Sequence, residues 1–78
     1  MDVRERAMDI LAMQMGLDKT KINDEDKLVD TLAMDSLDAV ELVMEIEEEF
    51  DIVLEDEVAQ KVVTVGDGLK LIQTLLEA

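Results

Sequence analysis

No proline interrupts this chain, and glycine occurs only at Gly16, Gly66 and Gly68. These residues are the usual punctuation between elements, so the chain can run as long helical segments. No β-branched run alternates with polar residues as a half-buried strand would. Four segments instead repeat with a helical period. The first spans about Asp2 to Met15. Asp2, with Glu5 three positions on, reads as a capping pair, and Gly16 is a good stop. Its stripe is Val3, Ala7, Ile10, Leu11 and Gln14, apolar except for the last member. The second runs from about Ser36 to Phe50 or Asp51, capped by Asp35 with Asp38 at the third helical position. A short third is expected from about Asp56 to Val62. The fourth runs from about Val65 to Glu77, with Thr64 as cap, Asp67 three residues later, and a core stripe of Val65, Gly68, Leu69, Ile72, Leu75 and Leu76.

Residues 17–34 read as a long polar connection that Ile22, Leu28, Val29 and Leu32 could pin to the core. A loop of this length in a small domain points to function or to a short helical turn inside it. The expected fold is therefore all-α: a four-helix bundle of three longer helices and one short one, with a long loop between the first two. At 78 residues the chain fits one domain, 1–78. A domain this small buries only about 60% of its unfolded surface, so its core is thin.

Twenty-one acids face seven bases, a formal net charge of −14. Such a surface repels nucleic acid and anionic membranes and attracts partners with basic patches. It also strains the compact state by self-repulsion, which divalent cations or mild acid would relieve. With no Cys there is neither a disulfide framework nor a thiolate metal site. No apolar run approaches the roughly 18 residues of a membrane span, and Met1-Asp2-Val3-Arg4-Glu5 lacks a signal peptide's apolar stretch. A cytoplasmic monomer is expected. His, Trp and Tyr are missing as well, so the usual general base near neutral pH is absent and an enzyme is the weaker reading.

The central helix has two apolar faces. At about 100° per residue, Ala39, Leu42, Val43, Ile46 and Phe50 form one stripe. Leu37, Val40 and Met44 lie roughly opposite, flanked by Glu41 and Glu48 on one edge and Glu47 on the other. Either both faces are buried, or the second is a docking strip: apolar anchors ringed by negative charge. The acidic border favours docking, because buried carboxylates need partners. No Lys or Arg occurs between Lys27 and Lys61, although helices normally mix signs. The negative field here reads as used.

Ser36, the sole serine, opens that helix. Alone it reads as a helix cap, and a hydrolase nucleophile is excluded because no His can activate it. Its setting changes the weighing. Leu32-Ala33-Met34-Asp35-Ser36-Leu37-Asp38-Ala39-Val40-Glu41-Leu42-Val43 closely resembles the phosphopantetheine attachment site of acyl carrier proteins. Glu47-Glu48-Glu49-Phe50-Asp51 and Thr64-Val65-Gly66-Asp67 resemble further family signatures at the expected distances. The resemblance spans essentially the whole chain. It implies a non-catalytic carrier of acyl thioesters on a 4′-phosphopantetheine arm attached covalently to Ser36 by a holo-acyl-carrier-protein synthase, with magnesium in that enzyme. It further implies that Asp35, Leu37, Asp38, Val40, Glu41, Met44, Glu47 and Glu48 dock fatty-acid synthesis enzymes (ketosynthases, reductases, dehydratases and acyltransferases). Ala39, Leu42, Ile46, Leu54, Val62 and Gly68 match positions lining an acyl-chain cavity. A helix N-terminus favours a phosphodiester, and the arm's own thiol explains thioester chemistry in a Cys-free chain.

The chain departs from the commonest family pattern at three places. Ala33 replaces a frequent Gly, Ile52-Val53-Leu54-Glu55 is more apolar and lacks a frequent Pro, and Gly68 stands where Ala is commoner. These bear on which partners and chain lengths the carrier serves, and a carrier dedicated to a polyketide, lipid A or other specialised pathway is the alternative. Two other classes compete. One is a calcium-binding protein suggested by Asn23-Asp24-Glu25-Asp26, which lacks the later Gly and Glu of an EF-hand loop. The other is an adaptor in which Ser36 is only a cap.

Overall fold

The computed structural model describes residues 2–77; Met1 and Ala78, the two ends of the expected domain, lie outside the described residues. In order these are α1 (Val3–Met15), a 3₁₀ turn (Lys19–Lys21), α2 (Ser36–Phe50), α3 (Asp56–Ala59) and α4 (Val65–Glu77). Apart from one isolated bridge between Lys27 and Thr64, the described residues contain no β-structure. The all-α bundle of three longer helices and one short one is as expected.

The long helices start where their sequences place a cap. The Asp2 carboxylate accepts the Glu5 N–H at 3.2 Å. The Thr64 hydroxyl accepts the Asp67 N–H at 3.1 Å while the Asp67 carboxylate accepts the Thr64 N–H at 3.1 Å. Each such contact satisfies an amide that a helix's first turn cannot pair internally. Gly16 ends α1 at φ 66° and Asp51 ends α2 at φ 53°. Asp tolerates this left-handed conformation better than most L-residues. The expected third helix is shorter than its sequence suggests. It stops at Ala59, after which Lys61 and Val62 donate to the carbonyls of Val58 and Ala59 in tighter turns.

Arg6 meets Glu49 at 3.1 Å and Gln14 meets Glu41 at 2.7 Å, so α1 and α2 run antiparallel. The buried core is Ala7, Met8, Leu11 and Ala12 from α1, Ile22 and Met34 from the connection, Ile46 and Phe50 from α2, and Val65, Leu69 and Ile72 from α4. This corrects three expectations. On α1, Met8 and Ala12 belong to the buried face, while Ile10 and Gln14 are half-buried at the α2 seam. Val29 is 66% exposed and does not pin the connection; Met34 does, with Ile22 and the half-buried Leu28 and Leu32. Leu76 lies on the outer side of α4.

The connection is ordered by backbone contacts distant in sequence. Leu28 N–H donates to the Val63 carbonyl at 3.0 Å, Val65 N–H to Asp26 at 3.0 Å and Gly66 N–H to Asp24 at 2.8 Å. Arg4 from α1 clamps Asp24 with two guanidinium nitrogens, one of them at 3.0 Å. Asp26 accepts the Asn23 N–H at 2.9 Å. The acidic stretch is thus engaged within the fold, and no cluster of metal-ligating side chains occurs among the described residues.

Ala33 has φ 60°. A Cβ is strained in this region and Ala has no side-chain hydrogen bond to compensate. Ala33→Gly is expected to raise stability by about 0.5–1 kcal/mol, the strain relief exceeding the added freedom of the unfolded chain. Thermal melting should show a rise of about 2–8 °C; an unchanged or lower midpoint would contradict the strain.

Three carboxyls sit below the ordinary value of 3.8: Asp67 through the Thr64 and Val63 N–H groups, Asp24 through the Arg4 guanidinium, and Asp18 through the Thr20 hydroxyl and N–H. Their folded values are depressed, so the folded state binds fewer protons than the unfolded state. Their stabilising contribution is complete above 3.8 and is lost as pH falls through the lower folded values. Relief of self-repulsion acts in the opposite direction as acids begin to protonate. The melting temperature at low salt should therefore rise from pH 7 to about 5 and fall below 3.8. A monotonic fall from neutrality would refute the repulsion, and a continued rise below 3.8 would refute the caps.

Candidate functional site

The start of α2 is built by reciprocal capping. The Asp35 carboxylate accepts the Asp38 N–H at 2.9 Å, and the Asp38 carboxylate accepts the Asp35 N–H at a long 3.4 Å. Asp35 is therefore the cap, and Ser36 is not. Ser36 is the first helical residue and is exposed. Among the described residues its hydroxyl has no hydrogen-bond partner, and the Ser36 and Leu37 amides donate to no protein group. With no His in the chain, this oxygen is presented to solvent without a base to activate it. It suits modification by another enzyme better than chemistry of its own.

Beside Ser36, Leu37, Val40 and Met44 are 66%, 56% and 62% exposed. Their i, i+3, i+7 spacing makes one stripe along the helix, so the second apolar face of α2 is not buried. Asp35, Glu41 and Glu48 are exposed around it. Asp38 and Glu47 are half-buried, and their carboxylates are engaged by backbone. Asp38 caps, while Glu47 accepts the Leu54 N–H at 2.8 Å and ties down the connection to α3. Nothing in the local sequence signals that second contact, because it joins residues on either side of a turn.

Cations avoid this face. Arg4 pairs with Asp24, Arg6 with Glu49, and Lys19 with Glu5 and Asp9, the last at 2.7 Å. The adjacent carboxylates raise the pKa of all three bases. Among the described residues no ion pair reaches Asp35, Asp38, Glu41 or Glu48. Exposed apolar side chains ringed by acids without ion-pair partners have the chemistry that complements a basic surface.

On its other side α2 borders a cavity of ≈ 340 Å³. Ala39, Leu42, Ile46, Leu54, Val62 and Gly68, the six expected cavity positions, all line it. Ala7, Met8 and Leu11 of α1, Val29 and Met34 of the connection, and Leu71 of α4 add to its wall. Sequence patterning missed these because cavity walls follow the packing of several elements. Among the described residues only Gln60 contributes a polar side chain to the lining. A void with such walls suits an apolar ligand, because water there finds too few polar partners.

Among the described residues no helix is long and apolar enough to cross a membrane. Comparison with known proteins places these features in a family. The family model for the phosphopantetheine attachment site matches residues 5–72. A curated acyl carrier protein of Clostridium acetobutylicum is 49% identical over 75 residues, covering 96% of this chain and 97% of its own. A structure from Mycobacterium tuberculosis described as an acyl carrier protein superposes with a TM-score of 0.88 at 32% identity, covering 94% of this chain and 97% of its own. A solution structure from Anaplasma phagocytophilum, described likewise, gives 0.85 at 30% identity, covering 94% of this chain and 86% of that one.

Proposed function

The chain belongs to the acyl carrier proteins and carries their phosphopantetheine attachment domain, and from that premise we propose that Ser36 bears the arm and that the protein delivers acyl groups to the enzymes of fatty-acid synthesis. Acyl carrier proteins are non-catalytic carriers, and this chain is one. The observation that carries the finer reading is an exposed, unpartnered Ser36 hydroxyl at the start of the helix whose outer face is the acid-rimmed strip Leu37, Val40 and Met44.

The residues present fit the group. Ser36 offers the only serine oxygen in the chain, and its own amide and that of Leu37 face the same helix end. When bound, the arm supplies the terminal thiol that a Cys-free chain lacks. Asp35 and Asp38 hold the helix start rigid, so the attachment point is fixed. Their negative charge also discourages a phosphodiester from folding down onto the protein. A tethered group then samples a partner's active site at high effective concentration. The strip supplies the contact: Leu37, Val40 and Met44 become desolvated, while Asp35, Glu41 and Glu48 steer basic patches towards them. Met44 is flexible enough to repack against several partners, as a shared carrier needs. The cavity supplies shelter for an acyl tail, worth about 0.8 kcal/mol per buried CH₂. We take the whole of 1–78 as one carrier domain, acting as a monomer in the cytoplasm.

Incubation with coenzyme A and a holo-synthase should add one arm by mass, and Ser36→Ala should add none. An unmodified wild-type protein, or an equally modified Ser36→Ala, would overturn the assignment. On the loaded carrier, Val40→Asp should leave stability within about 0.5 kcal/mol, since the site is exposed, and Glu41→Lys should cost about 1 kcal/mol at most, from the loss of one exposed hydrogen bond to Gln14. Affinity for a ketosynthase or reductase should drop at least about tenfold, and for Glu41→Lys the loss should shrink as salt rises. Partner titrations indistinguishable from wild type would remove the strip as the dock.

A further inference from the structure

Two of the three glycines are required by the fold as it stands. Gly16 has φ +66°, where a side chain is strained, and a Cβ on Gly66 would lie 3.2 Å from the Asp24 carbonyl oxygen. Gly68 has neither reason. It sits in the right-handed helix α4, and the nearest atom to an added Cβ is Val62 Cγ1 at 3.5 Å, an ordinary contact. Alanine therefore fits, and alanine is the better helix former. It would also fill empty apolar space, whose presence costs stability. The folded protein by itself gives no reason for glycine at this position.

The space left by the missing methyl belongs to the cavity, since both Gly68 and Val62 line it. We infer that Gly68 is a specificity-determining residue, its missing side chain extending the cavity so that longer saturated acyl chains are sheltered than an alanine would allow. This rests on the reading of the cavity as the acyl group's shelter. The side chain facing Gly68 is Val62, which offers a ligand no polar contact, so discrimination there is by length alone. Each methylene kept out of the cavity weakens sequestration about fourfold.

The test uses the full chain in its arm-bearing form, loaded with saturated acyl groups of increasing length. Wild type, Gly68→Ala and Gly68→Ala/Val62→Ala are compared by thermal melting and by the rate at which hydroxylamine cleaves the thioester. Unloaded Gly68→Ala should melt about 2–8 °C above wild type. Its protection should stop growing at a shorter chain, with the longest chains cleaved about fourfold faster than in wild type. Trimming Val62, which faces the new methyl, should restore long-chain protection despite lower stability. Identical length dependence in wild type and Gly68→Ala overturns the inference and leaves the carrier reading intact. Loss of protection at every length together with a lower melting point also overturns it, by showing Gly68 to be structural. A wild-type protein with no length-dependent protection overturns the shelter reading itself.

Discussion

The hydrogen bonds from Leu28 to Val63, Val65 to Asp26 and Gly66 to Asp24 hold the long connection against the start of α4. This seam decides where α2 begins. Pinned there, the connection drives Ile22 and Met34 into the core and delivers Asp35 to the point where it caps α2 with Ser36 outermost. Gly66 belongs to the seam because a Cβ would crowd the Asp24 carbonyl. The positive φ of Ala33 lies on the same path: the chain turns sharply between the buried Met34 and the exposed Val29. The strained residue thus directly precedes the buried Met34.

Charge is sorted as deliberately as packing. Arg4, Arg6 and Lys19 bind α1 to the connection, to the C-terminal end of α2 and to the 3₁₀ turn. These exposed pairs are each worth little, yet their placement leaves the first two-thirds of α2 without a compensating cation. Among the described residues no ion pair neutralises Asp35, Asp38, Glu41 or Glu48, and the apolar stripe between them is exposed.

The core is correspondingly lean. Among the described residues no side chain is completely sealed from solvent, and the apolar volume that a denser core would fill remains as a cavity beneath α2. Empty apolar space of this kind lowers stability, because its lining lacks contact atoms on one side. One helix thus presents different surroundings around its circumference: Ile46 and Phe50 in the core, Ala39, Leu42 and Ile46 on the cavity, and Leu37, Val40 and Met44 exposed.

What the sequence determined by itself was local. Helix starts at Asp2, Asp35 and Thr64 and the stop at Gly16 depend on contacts within about three residues or on one dihedral, and so were readable in order along the chain. The two-faced pattern of α2 was readable from its helical period, and its attachment motif from family resemblance. The six cavity positions came from family resemblance, and all of them line the cavity. Tertiary structure alone decided the rest. It chose Met8 and Ala12 over Ile10 and Gln14 for the α1 core face, exposed Val29 and buried Met34, turned Glu47 onto Leu54, and left the second stripe of α2 uncovered. Those outcomes depend on which element lies opposite, and burial is fixed by neighbours far away in sequence that no local pattern records.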